Sequence, residues 1–408
     1  MRVLVAAIRY PPAPGGAEVY AHEIAKELVR RGHEVEVWTS DLMREHPFER
    51  LQEPFGTVDG VRVHRCRAWT PGEMIHYPVM PGELGMLRAG ADVVHSNSFG
   101  YFHTNVAAVR RRLRGTPLVV STHYHPPETM QGGPARHWLR RVYDASVAGW
   151  VFDQADRIVA VSRAELGSMG HHIRDMDKAR VIPSGIDPAR FDPAPDGREF
   201  LEHRGIGGPV LLYVGRLAQN KHMELVIGLM PELLKQVPDL TLVIAGPDDG
   251  VGAAWKRQCA DLGLGDRVRF EGYLAEHDLL GAYAAADALV LPSDWEAFGL
   301  VLLEAMACRT PCVVADRGGA PEVVEDGRTG IVARYGDRAA WREAILRLLG
   351  DDRLRREMGE RGREVALTRY SWSTVTDGIE ALFKELVDGG TAVGGVRVAR
   401  GARGARGP

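Results

Sequence analysis

Two glutamates eight positions apart, Glu296 and Glu304, bracket an apolar run in "SDWEAFGLVLLEAMAC" (residues 293–308). Eight helical residues span about 12 Å of axis, which is too far for one acid/base pair acting on a single bond. Glu296 closes the strand-like "ALVLPS", and a helix opens over Phe298, Gly299, Leu300 and Val301. The first amides of that helix have no partner within it, and bare amides at a helix N-terminus suit phosphate. Acid, amides, acid is the order that matches sugar, diphosphate and ribose in a nucleotide-diphosphate sugar. The plainer alternative makes Glu296 a helix cap and leaves Glu304 half-exposed. Against it, an unpaired carboxylate in an apolar stretch is costly.

A second group of candidates is cationic. "YVGRLAQNK" (213–221) sets Arg216 just past a strand and Lys221 five residues later, at the start of a helix. A guanidinium fork and an ammonium point charge beside exposed amides fit a diphosphate. The stretch lacks the G-x-x-x-x-G-K-[ST] spacing of a Walker loop. A third candidate is the loop "PPAPGGAE" (11–18), where Gly15 and Gly16 permit close backbone approach at a helix N-terminus. A plain turn between strand and helix explains that loop equally well. It is not G-x-G-x-x-G, and no acid follows the second strand in the ribose position, so a nicotinamide cofactor is not expected.

The elements that would carry these residues alternate strand and helix. "RVLVAAI", a helix with Val19, Ile24, Leu28 and Val29 on one face, and the alternating "EVEVWT" form a βαβ unit, and so a parallel, doubly wound sheet. "ADVVHS" (91–96), "TPLVVSTHYH" (116–125) and "ADRIVAVS" (155–162) continue it. Four prolines in "VIPSGIDPARFDPAPDG" (181–197) mark a linker. The rhythm then restarts at "PVLLYVGRL" (209–217). The expected organisation is a first domain over 1–190, a second over 191–370, a final helix over 371–388 and a disordered tail over 389–408.

The chain has 408 residues, too many for one ordinary core, with 51 basic against 54 acidic side chains. Near-balanced charge gives no whole-protein field for nucleic acid. Four scattered cysteines suit a reducing cytoplasm, and no apolar stretch approaches membrane-spanning length. "MRVLVAAIRYPP" reads as a buried first strand in preference to a signal peptide. The "DMD" of 175–177 sits in a charged stretch and not at a buried strand end; no metal is expected.

In order along residues 1 to about 388, "GGAE", "GRLAQNK", "EAFGLVLLE" and "GGAPEVVEDGRTGIV" (318–332) resemble retaining glycosyltransferase family 4, which has the GT-B fold. The resemblance implies two Rossmann-like domains facing across a cleft, with the C-terminal helix crossing back to the first domain. It implies that Arg216 and Lys221 hold the donor diphosphate, that Glu304 contacts the ribose, and that Glu296 contacts the transferred sugar or its phosphate. It also implies that His123 faces the sugar from the first domain. Where many members have glycine after the lysine, this chain has His222.

The function expected is transfer of a sugar from a UDP- or GDP-linked donor to a hydroxyl acceptor with retention, without a cofactor. The acceptor would be a sugar, a lipid-linked sugar or a small molecule, in cell-envelope glycan, glycolipid or natural-product synthesis. The basic stretches 107–115 and 135–150 could touch an anionic bilayer from the cytoplasm, or simply pack on the sheet. A nucleotide-sugar epimerase or phosphorylase on the same fold would convert its substrate without a glycosyl acceptor, and a non-enzymatic binder would do neither.

Overall fold

The computed structural model describes residues 1–44, 49–53, 55–69, 77–126 and 134–394. Its first ten strands are β1 (Arg2–Ala7), β2 (Glu34–Ser40), β3 (Leu42–Arg44), β4 (Glu49–Arg50), β5 (Phe55–Val58), β6 (Val61–Cys66), β7 (Val93–Asn97), β8 (Leu118–Ser121), β9 (Arg157–Ala160) and β10 (Ala179–Val181). β3 and β4 form a small antiparallel pair, and the other eight form one sheet ordered β10-β9-β8-β7-β1-β2-β6-β5. Every pairing in that sheet is parallel except the β5–β6 edge hairpin. The second sheet contains β11 (Val210–Val214), β12 (Thr241–Ala245), β13 (Val268–Gly272), β14 (Ala288–Leu291), β15 (Cys312–Ala315) and β16 (Gly330–Ala333). It is wholly parallel, in the order β13-β12-β11-β14-β15-β16. This is the GT-B architecture of two α/β domains.

Burial follows the sequence pattern. β2, which alternates, buries every second residue over most of its length, whereas β7, β8, β12, β14 and β15 are buried throughout. Central parallel strands covered by helices on both faces require that continuous apolar run. In each sheet the strand order reverses once, between β1 and β7 and between β11 and β14. Ligands of doubly wound sheets gather beyond the strand ends at such reversals. The Gly15–Gly16 loop and Asn97 lie at the first reversal, and Arg216, Lys221 and Glu296 lie at the second.

The linker is more structured than its prolines suggest. Pro188–Phe191 forms a 3-10 turn, and the helix Arg198–Arg204 packs on the helix Glu276–Ala285 of the second domain. The last helix runs Trp372–Gly394 and crosses back onto the first domain. Trp372 meets Tyr20 edge-on at 5.9 Å, Phe383 meets His95 at 5.6 Å, and Arg31 bonds both Asp377 and Glu380 at 2.8 Å. That helix overturns the disordered tail at its start: residues 389–394 continue the helix, and 395–408 lie outside the described residues. A strand reaching residue 125 is also overturned. β8 stops at Ser121 because the Thr122 hydroxyl turns to bond the buried carboxylate of Glu165 at 2.6 Å, and the Tyr124 amide bonds it too. No helix of the described residues is long and apolar enough to cross a membrane.

Candidate active site

Glu296 is held from two sides. Lys221 Nζ lies 2.6 Å from its Oε1, and the Ser293 hydroxyl donates to the same oxygen at 2.8 Å. Lys221 ends the loop after β11 and Glu296 lies in the loop after β14, so the sheet reversal brings them together. The side chains are only 13% and 15% exposed, so removing either would strand a charge in a largely dry setting. Behind Glu296, the amide of Gly319 bonds its carbonyl at 2.6 Å. A β-carbon on Gly318 would sit 2.4 Å from that carbonyl oxygen, so the close approach needs glycine there.

The helix Leu300–Ala307 starts beside this pair, with Gly299 as its N-cap at φ +95°. Its first amides carry the positive end of the helix dipole. Phe298 is buried and packs edge-on against Tyr370 at 5.7 Å. Leu300 and Val301 are half-buried in the first turn.

Arg216 stands apart from that pair. Its guanidinium bonds Asp249, and its side chain is 60% exposed. The loop that carries it starts from a tight crossing, where a β-carbon on Gly246 would lie 1.9 Å from the carbonyl oxygen of Gly215. Glu304, a second helical turn further on, is not left unpaired. Arg190 Nη1 lies 3.2 Å from its Oε1 and the Tyr283 hydroxyl donates to its Oε2 at 2.8 Å. Arg190 also bonds Glu276 at 2.8 Å, so it stands between two carboxylates.

The first domain meets this helix through glycine. A β-carbon on Gly16 would lie 3.5 Å from the side chain of Leu300. Gly15, at φ +147°, lies so close to Glu18 that a β-carbon would fall 2.1 Å from its carboxylate oxygen. Glu18 is buried and receives a 2.7 Å bond from Arg9 Nε. That loop therefore already holds an acid at the helix N-terminus, a feature the glycine pattern alone did not reveal. Asn97 ties the loop down by donating to the Ala17 carbonyl at 2.8 Å, and its Oδ1 lies 2.9 Å from His123 Nε2.

His123 and His125 take different places. His123 adopts φ +44° and packs edge-on to Tyr20 at 4.7 Å. Burial drives its imidazole down to about 3, assisted by the nearby His95 and His125. His125 is open to solvent on its surface, yet crowding by protein draws it down to about 4, followed by the positive charge of Lys221. Glu296 opposes that shift and Arg216 reinforces it.

The domains also touch directly. The Ser162 hydroxyl donates to the Ala297 carbonyl at 2.7 Å, and the carboxylate of Glu322 receives the amides of Arg163 and Ala164 at 2.9 and 2.8 Å. Asp175 and Asp177 form an exposed 3-10 turn in which Asp175 caps the amide of Asp177. Among the described residues no group of three or more His, Cys, Asp or Glu side chains could hold a metal ion.

Comparison with known proteins places the two halves separately. The description "Glycosyltransferase Family 4" matches residues 14–190, and "Glycosyl transferases group 1" matches residues 202–365. A D-inositol 3-phosphate glycosyltransferase of Kineococcus radiotolerans is 34% identical over 91% of this chain and 91% of its own length. A GDP-mannose-dependent alpha-(1-6)-phosphatidylinositol monomannoside mannosyltransferase of Mycolicibacterium smegmatis is 30% identical, covering 90% and 94%. Among solved structures, sucrose-phosphate synthase from Thermosynechococcus elongatus superposes with a TM-score of 0.79 at 23% identity, covering 95% of this chain and 99% of that one.

Proposed function

The chain belongs to the family 4 glycosyltransferases of the GT-B fold, and from that premise we propose that it moves a sugar from a UDP- or GDP-linked donor to a hydroxyl acceptor with retention of configuration. The observation that carries this reading is the Lys221–Glu296 pair set against the helix start at Gly299, with Gly16 of the other domain across from it. Cation, acid and bare amides in one place suit a sugar phosphate better than they suit a neutral ligand.

Arg216 and Lys221 take the diphosphate, Glu304 the ribose and Glu296 a hydroxyl of the transferred sugar. The bond from the anomeric carbon to phosphate oxygen breaks, and its electron pair stays on that oxygen. Lys221, Arg216 and the helix amides stabilise the charge that develops there. The acceptor oxygen bonds the anomeric carbon on the same face, and its proton passes to the departing phosphate oxygen. Glu296 orients the sugar and need not attack it. His123 faces the sugar from the first domain, and Asn97 joins it to the glycine loop.

A thermal-shift panel of UDP, GDP and ADP sugars identifies the donor. A ligand at one hundred times its Kd adds about 2.7 kcal/mol to stability, so the true donor stands out from the rest. The anomeric coupling of the product, read by NMR, then tests retention. An inverted product overturns the mechanism, and donor conversion without any acceptor favours an epimerase.

Contact with a bilayer is a narrower proposal. On the helix Phe102–Arg114, Arg110 folds inward to the Met86 carbonyl and Arg111 grips Asp156 at 2.7 and 2.8 Å. Arg112, Leu113, Arg114 and, on the next helix, Trp138 remain exposed. Cations beside exposed apolar side chains favour an anionic surface. Sedimentation with anionic vesicles at low and high salt tests it, and absence of salt-sensitive binding removes it.

A further inference from the structure

The loop that ends in Lys221 turns at His222, which adopts φ +50° and ψ +33°, a left-handed conformation that disfavours any β-carbon. Its side chain reaches three loops. Nδ1 lies 2.9 Å from Glu224 Oε1, and Nε2 lies 2.9 Å from the Tyr335 hydroxyl and 3.4 Å from Asp294 Oδ2. Asp294 belongs to the loop that carries Ser293 and Glu296, and its amide bonds the Asn220 carbonyl at 3.1 Å. Tyr335 follows β16 and is anchored by its amide on Asp316 Oδ1 at 2.8 Å. One imidazole thus fastens the carboxyl ends of β11, β14 and β16.

The charged groups around it are mixed, and the acids are nearer. Asp294 and Glu224 accept from the ring, and their hydrogen bonds lift it to about 9. Arg317 lies over the Tyr335 ring at 5.6 Å, and Arg338 lines the cavity of about 410 Å³ that His222 and Tyr335 border.

We propose that His222, as an imidazolium, is a positioning residue for the donor diphosphate: it locks the loop of Lys221 to the loop of Glu296 and makes donor binding sensitive to alkaline pH. This rests on the donor-site reading above. Glycine at this position would relax the backbone and lose the clamp, so His222→Gly separates conformation from side-chain function.

The experiment measures donor KM and kcat for the wild type and His222→Gly from pH 6.5 to 9.5, with the melting temperature of each. Loss of a charge-assisted clamp should raise donor KM about tenfold. The wild type should show that rise only as pH climbs through about 9. His222→Gly should have the raised KM already at pH 7 and show no further rise, while its melting temperature holds or increases. Asp294→Asn, a second route to the same clamp, should move the alkaline limb to lower pH. A wild-type KM and pH profile in His222→Gly would overturn the proposal. A wild type that transfers from no nucleotide sugar would overturn the donor reading itself.

Discussion

The two domains share one strand order about their reversals, yet their strand ends are furnished in opposite ways. In the second domain the residues are charged and paired: Lys221 with Glu296, Arg190 with Glu304, Arg216 with Asp249. In the first they are largely imidazoles kept neutral. Burial holds His95 and His103 down to about 4 and His123 to about 3. A diphosphate carries fixed negative charge in every nucleotide sugar, so a charged, prearranged floor serves all of them. His95 and His103 are wholly buried, bonded to Ser121 and to the Asn97 carbonyl, and a neutral ring there spares the fold the cost of an enclosed charge.

The contrast breaks most severely at Lys221. Lys221→Ala leaves Glu296 with Ser293 alone and removes a cation from the leaving group; kcat/KM should fall by about 10³-fold, and a loss under threefold would deny its role. Glu304→Gln should weaken nucleoside diphosphate binding by about tenfold in calorimetry, with a smaller effect on the sugar end. Unchanged affinity would leave Glu304 as only the partner of Arg190 and Tyr283.

The pH limits should divide by domain. A histidine whose folded pKa lies below its unfolded value near 6.5 leaves the folded state with fewer bound protons, so stability falls as pH drops below about 6.5. His95, His103 and His123 predict that acid limb, seen as a melting temperature lower at pH 5 than at pH 7. His222 predicts the reverse: its contribution is complete below about 6.5 and is lost as pH rises through about 9. His222→Gly should therefore flatten the alkaline limb and leave the acid limb intact.

The smallest effect is expected where the last helix returns. Arg31→Ala removes the bonds to Asp377 and Glu380, but Asp377 is 68% exposed, so the loss should be about 1 kcal/mol. Equilibrium unfolding in urea would read it.

Much of the fold was legible because buried parallel strands must be continuous apolar runs, and each ends in small or polar residues. Lys221 and Glu296 were legible because each sits next to its strand. Their bond was not, since it depends on the sheet order that places β14 beside β11. Arg190 was hidden in a proline-rich linker 114 positions from Glu304, and only the tertiary fold joins them. The end of β8 was misplaced for a local reason: the apolar run was continued through Thr122, whose hydroxyl bonds a buried carboxylate beyond the end of the strand. The final helix outran its expected end by six residues, 389–394, because glycines there weaken helix propensity without forbidding a helix.

The most direct test is Glu296→Gln, assayed for nucleoside diphosphate affinity by calorimetry and for sugar transfer in the same preparation. Affinity should stay within about threefold, because Lys221, Arg216 and the helix amides remain, while turnover falls by about 100-fold or more. Full turnover, or loss of nucleotide binding with turnover preserved, would contradict a glutamate that orients the sugar on a floor built for the diphosphate.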